Sequence, residues 1–249
     1  MIDPGDRGFT LGDGLFETLA AQDGVLRDVD RHLDRLAAGC AALGLPEPDR
    51  SEAKRLMLAA LPDATGRWAV RLTLTAGSGG RGLDRPAHLR PTMIATAAPA
   101  PPTAGPARLI TATVRRNETS PGSRLKTLSY LDNVLARREA RAAGADEAVM
   151  LNTRGHVACA AAGNLFWIAG GELFTPSLAC GVLAGITRED VIVAARGLGV
   201  AVQEVVAGPE ALAAADAVLI TNSLIGVRAV ATLDGRGLRG SDLVRVLAS

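Results

Sequence analysis

The chain has 249 residues, 48% of them hydrophobic and 21% charged, which is enough for one large or two modest domains, each with its own core. A net charge of +1 with both signs interspersed, and only 3% aromatic side chains, exclude a dedicated nucleic-acid surface and a base-stacking platform. No run approaches the ~18 apolar residues of a membrane span, the N-terminus lacks an apolar signal core, and Cys40, Cys159 and Cys180 match neither a zinc pattern nor a disulfide framework, so a cytoplasmic, metal-free protein is expected.

Residues 7–14, Arg-Gly-Phe-Thr-Leu-Gly-Asp-Gly, are glycine-dense and read as turns before the chain becomes apolar at 15–20. Gln22-Asp23-Gly24 is a turn signal, and 25–27 a short strand. The spacing predicts a helix over 30–43, with Leu33, Leu36, Ala37, Cys40 and Leu43 on one stripe and Gly44 after it; Arg35 lies on the other, polar side. A second helix is predicted over 51–61, then strands over 68–75 and 91–96. The loop at 76–82 is glycine-rich but has neither a dinucleotide nor a P-loop spacing. Ala98 to Pro106 carries four prolines and is the clearest linker, which predicts domains at 1–98 and 108–249 joined by 99–107.

In the second half a strand is expected over 109–114 and a helix over 128–143 that ends at Gly144. Strands follow over 148–152 and 156–160, then a hairpin over 164–176 with a two-glycine turn. Gly181 to Gly185 leads into a helix ending near Gly197; Thr187 fits its N-cap, with Asp190 completing an approximate capping box. A helix N-terminus offers backbone N–H groups and a positive dipole end, which suits a phosphate, although capping alone also explains Thr187. Residues 217–220 read as a buried strand ending in Thr221-Asn222-Ser223.

The chemistry concentrates around Lys126. Of 27 basic side chains only Lys54 and Lys126 are lysines, and Lys54 reads as the outer face of a helix. Lys126 sits between Leu125 and Leu128; a lysine in apolar surroundings has its pKa lowered and becomes a nucleophile and Schiff-base former. Tyr130 lies four residues on, the spacing of one helical face.

Lys-Thr-Leu-Ser-Tyr-Leu-Asp-Asn-Val-Leu-Ala at 126–136, with Gly-Ala-Asp-Glu-Ala at 144–148, resembles the class IV aminotransferases, the fold-type IV pyridoxal phosphate enzymes. The likeness runs through nearly the whole chain: Gly-Asp-Gly-Leu-Phe-Glu-Thr at 12–18, His-Leu-Asp-Arg-Leu at 32–36 and Gly-Ile-Thr-Arg at 185–188 fit the same family. Gly-Ser-Gly-Gly-Arg-Gly at 77–82 and Asn-Leu-Phe-Trp at 164–167 resemble its aminodeoxychorismate lyase branch. The resemblance implies an α/β (α+β) two-domain fold with the cofactor in a cleft, and a homodimer acting on a small molecule. It implies that Lys126 carries pyridoxal phosphate, that Arg35, Ile186, Thr187 and Ser223 hold the phosphate, and that Tyr130 meets the ring oxygen. It makes Arg81 the partner of a substrate carboxylate.

One position departs from the pattern. The family usually places a glutamate on the pyridine nitrogen, and the ungapped match puts Cys159 there. A neutral thiol supplies no fixed negative charge. Transamination depends on a protonated ring more than elimination does. The resemblance therefore implies 4-amino-4-deoxychorismate lyase activity, with D-amino acid or branched-chain aminotransfer and a cofactor binder of low activity as the alternatives.

Overall fold

The computed structural model describes residues 2–62, 65–102 and 104–248; Thr103 of the proline-rich linker lies outside them. Two compact units divide the chain. The first holds Met1–Pro101 and Leu125–Ser129, the second Pro102–Arg124 and Tyr130–Ser249.

The first unit begins with a short helix α1 (Arg7–Leu11) where the glycine-dense sequence predicts only turns. Asp6 caps it by accepting from Gly8 N, and Gly12 closes it in the left-handed conformation at φ 69°. Strands β1 (Gly14–Gln22) and β2 (Val25–Leu26) form a hairpin, helices α2 (Val29–Leu43) and α3 (Arg50–Ala59) follow, and β3 (Arg67–Thr75) and β4 (Thr92–Pro99) complete an antiparallel sheet of order β2-β1-β3-β4. Side chains alternate across a strand. Leu15, Leu19 and Ala21 of β1 and Val70, Leu72 and Leu74 of β3 share the face that buries Leu33, Leu36 and Cys40 of α2 and Ala53 and Met57 of α3. That dry packing fixes the register of β1, since a slip of one residue would turn its whole apolar set outward.

The second unit contains β5 (Ala107–Thr111), α4 (Leu131–Ala142), β6 (Glu147–Leu151), β7 (Val157–Ala160), β8 (Asn164–Ala169), β9 (Glu172–Pro176), α5 (Ile186–Gly197), β10 (Val202–Val205), α6 (Pro209–Ala213), β11 (Ala217–Asn222), β12 (Gly226–Leu233), β13 (Arg236–Gly237) and α7 (Asp242–Leu247). Its mixed sheet runs β10-β9-β8-β11-β12-β5-β6-β7, with β13 on β12. Phe166, Ile168, Ala217 and Leu219 face Val191, Ile192 and Ala195 of α5, while Leu165, Trp167, Val218 and Ile220 belong to the core on the other face. Ala136 and Ala140 of α4 pack with Ala148, Met150 and Cys159 in a third cluster.

Two helix starts differ from expectation. Helix α4 begins at Leu131 rather than 128, because residues 126–128 pair with β1 instead: Phe16 N donates to Lys126 O at 2.9 Å and Leu128 N to Gly14 O at 3.0 Å. Helix α5 begins two residues earlier than a Thr187 cap would place it; Gly185 is the N-cap, without a side-chain cap, and Thr187 sits in the first turn.

Candidate active site

Glu17 is the one acidic side chain of β1, and the pleat turns it to the helix-covered face with Leu15 and Leu19. It is 1% exposed. Arg35 of α2 takes it bidentately, Nε to Oε1 at 2.8 Å and Nη2 to Oε2 at 2.6 Å, while Nδ1 of buried His32 lies 2.7 Å from Oε2. Burial pulls the Glu17 pKa up, but the Arg35 and His32 hydrogen bonds outweigh it and hold the carboxyl below its ordinary range. Arg35 is thus no solvated outer-face arginine; its guanidinium is fixed by a carboxylate within the fold.

The opposite face of β1 carries Phe16. Its ring lies 4.4 Å (centroid) from Lys126 Nζ and 3.7 Å from the Arg71 guanidinium carbon, so two cations meet one aromatic side chain. Lys126 is held there by main-chain pairing, with Thr127 bridged to Leu15. It is half-buried and lies in a turn, not in a helix. The one-face relation between Lys126 and Tyr130 that the four-residue spacing suggests is therefore absent: Tyr130 is the N-cap residue of α4 and belongs to the second unit.

Arg81 lies in the loop that follows β3 and is exposed. Its main chain pairs with Asp84 in both directions at 3.1 Å. Beneath the loop sits Arg7, 5% exposed. Its Nη1 donates to the carbonyls of Gly82 and Asp84 at 3.2 Å and reaches Gly79 O at 3.4 Å; its Nη2 donates to Leu83 O at 3.0 Å. Its Nε donates to Asp13 at 3.0 Å, and Asp13 also takes Arg85 bidentately. The Arg85 hydrogen bond, helped by Arg7 against the effect of burial, holds the Asp13 carboxyl below its ordinary range.

In the second unit Cys159 sits on β7, opposite Met150 of β6, and is 5% exposed. Burial pushes its thiol pKa up, only partly countered by the Arg116 charge, so the group is a neutral thiol near pH 7. Arg116 is buried and donates to the carbonyls of Gly181 and Ser123. Gly181 opens the loop leading to α5, and Asn164 of β8 donates to Leu183 O of that loop at 2.9 Å. At Gly185 a Cβ would fall 2.0 Å from Asn164 Oδ1, so any side chain before the helix would displace the Asn164 amide. Ile186 and Thr187 form the first turn of α5. Ser223 opens the turn after β11, whose Asn222 side chain accepts from Leu224 N and Ile225 N at 2.9 and 3.0 Å.

Within the first unit the fold thus gathers Lys126, Phe16 and Arg71 on one face of β1 and Glu17, His32 and Arg35 on the other; within the second it brings Gly185, Ile186 and Thr187 beside Asn164. Sequence reasoning left Glu17, Phe16, Arg7, Arg116 and Asn164 without roles. An acid in an otherwise apolar strand was the available signal for Glu17; Arg7 and Arg116 carry none, since they act on main-chain oxygens far away in sequence.

The family model for class IV amino-transferases matches residues 14–233. A protein of Methanocaldococcus jannaschii, provisionally named a branched-chain-amino-acid aminotransferase, is 36% identical over 93% of this chain and 82% of its own length. The crystal structure of 4-amino-4-deoxychorismate lyase from Pseudomonas aeruginosa is 34% identical and superposes with a TM-score of 0.88 over 99% of this chain and 93% of that one. A hypothetical aminotransferase from Mycobacterium tuberculosis, solved with pyridoxal phosphate bound, is 25% identical with a TM-score of 0.86 over 100% of this chain and 90% of the other. By sequence and by fold, this chain belongs to the class IV aminotransferases, the fold-type IV enzymes that work with pyridoxal phosphate.

Proposed function

We propose that the chain is a 4-amino-4-deoxychorismate lyase, which releases pyruvate and forms 4-aminobenzoate. Its residues fit the cofactor. The twelve-residue helix α5 starts at a glycine that gives no side-chain cap, a suitable end for a phosphate. Thr221 Oγ1, on the strand position paired with Asn164, is buried and has no hydrogen-bond partner among the described residues, a donor of the kind a phosphate oxygen takes.

In this reading Lys126 carries the cofactor, Ile186, Thr187, Ser223 and Arg35 hold its phosphate, and Tyr130 hydrogen-bonds its ring oxygen. When bound, pyridoxal phosphate supplies an electron sink that weakens the bonds beside a substrate amine. Lys126, once displaced by that amine, takes the proton from the carbon that bears it, as a general base. Arg81 binds a substrate carboxylate through its guanidinium fork.

What carries the choice of lyase is the buried, neutral thiol of Cys159, which the ungapped match to the family motif puts where a glutamate is usual. Without a fixed negative charge on the ring nitrogen, a bound substrate loses a leaving group more readily than it moves a proton onto the cofactor. The 36% identity to the Methanocaldococcus jannaschii protein favours a second reading, aminotransfer to a keto acid.

The deciding experiment supplies aminodeoxychorismate to the pyridoxal phosphate-loaded protein with no keto acid present. Pyruvate and 4-aminobenzoate in equal amounts support the lyase; no turnover until a keto acid is added sinks it. Lys126→Ala, run alongside, should lose both the product and the visible absorption band that borohydride removes from the wild type.

A further inference from the structure

We infer that Arg7 is the positioning residue of the 79–84 loop and thereby sets how Arg81 meets a substrate carboxylate. This rests on the carboxylate role proposed for Arg81. Two arginines meet this loop in opposite ways. Arg7 is buried and directs all three of its nitrogens inward, to four loop carbonyls and to Asp13. Arg81 is exposed, and among the described residues its side chain makes no hydrogen bond or ion pair.

Besides Arg7, the tip of the loop is shaped by the main-chain pair of Arg81 and Asp84. Gly77, Gly79, Gly80 and Gly82 all have positive φ, so the local sequence leaves the backbone free to take many shapes. Leu83 is 85% exposed and anchors nothing. The carbonyls of 79, 82, 83 and 84 converge on Arg7, the Asp84 oxygen also accepting from Arg81 N, and Gly80 is wedged so closely that a Cβ there would fall 2.1 Å from Asp84 O and 3.2 Å from Arg7 Nη1. A guanidinium presents five N–H donors in a planar fork, which is why one side chain can hold four carbonyls. Asp13 neutralises that charge, and Arg85, bonded to the same carboxylate and to Leu43 O, ties the far end of the loop to α2. The loop is a cap of main chain over a buried arginine, and Arg81 stands at its outer edge.

A lysine at position 7 keeps the charge but has three donors and no fork, so it cannot hold the set. Arg7→Lys in the loaded enzyme should raise the KM for aminodeoxychorismate by about tenfold while kcat falls less, since misplacing a binding group acts on substrate capture. The effect should vanish in an Arg81→Gln background, because Arg7 acts through Arg81. Trypsin cleavage after Arg81 should also be faster in the folded Arg7→Lys protein than in wild type; Pro86 protects the bond after Arg85. Equal KM increases in both backgrounds, or an unchanged KM beside an impaired Arg81→Gln, would overturn the positioning role. A wild-type KM for Arg81→Gln would instead remove the carboxylate role of Arg81, and the inference with it.

Discussion

The molecule has two glycine-rich loops at its candidate site residues, and they are built in opposite ways. The 77–85 loop of the first unit turns its carbonyls inward onto a charged side chain, Arg7, itself neutralised by Asp13. The 181–185 loop of the second unit is shaped by close fit: Gly181 lies against the backbone of Glu118, Gly185 against the Asn164 amide, and Arg116 and Asn164 each take one carbonyl. The consequence is chemical. In the first loop the carbonyls are engaged by Arg7, and the group proposed to meet an anion is a side chain, Arg81. In the second the loop delivers the main chain itself, since it ends at the N-terminus of α5. In the proposed reading, two stretches that look alike in sequence would thus meet an anion with a side chain in one case and with a helix end in the other.

The largest effect should come from closing the backbone-to-backbone approach in the second loop. Gly181 has φ 80°, and a Cβ there would lie 2.7 Å from Glu118 Cα. Gly181→Ala combines left-handed strain with a clash against backbone, neither of which a side-chain rotation relieves, and should cost about 3 kcal/mol in urea unfolding. Weaker binding of pyridoxal phosphate should accompany it, because the loop leads to α5. A loss below about 1 kcal/mol would mean that close fit does not shape this loop.

The next effect belongs to the charged loop. Asp13→Asn removes the negative charge and one of the two acceptor oxygens used by Arg7 and Arg85 and should cost about 2 kcal/mol near neutral pH, the scale of hydrogen bonds to a charged group. The Asp13 carboxyl is held below its ordinary range. Its contribution is therefore complete above the unfolded carboxylate pKa and is lost as the pH falls through the lower folded value. The stability gap between wild type and Asp13→Asn should accordingly shrink in acid. A gap that stays constant down to the acid unfolding limit would show that the charge of Asp13 is not what holds Arg7 and Arg85.

How much of this was legible beforehand follows from the range of each signal. The apolar periodicities located α2, β3, β8 and β9 within a residue or two, because each element carries its own buried face. The start of α4 was misplaced for a non-local reason: residues 126–128 have acceptable helical neighbours, but their main-chain groups bond to Gly14 and Phe16, more than a hundred positions away. Thr187 has the hydroxyl of a usual cap, but the helix starts at Ile186, with Gly185 packed against Asn164 and no side-chain cap. Lys126 stood out through scarcity of lysine. Glu17 and His32 did not, since pairing with Arg35 is visible only once β1 and α2 are stacked.

The smallest effect discriminates best between side-chain and main-chain recognition. Gly82 has φ 58°, but a Cβ added there meets nothing within 4 Å. Gly82→Ala should therefore cost only the left-handed penalty, about 1 kcal/mol, a drop of roughly 2–4 °C in Tm for a chain of this size. Its carbonyl remains available to Arg7. If Arg81 alone meets the substrate carboxylate, the KM should stay at the wild-type value, because a methyl group in open space obstructs nothing. A KM that rises with Tm unchanged would place the ligand directly against the loop backbone at Gly82. The first loop would then recognise its anion through main chain as well, and the contrast with the 181–185 loop would narrow to what holds each one in place.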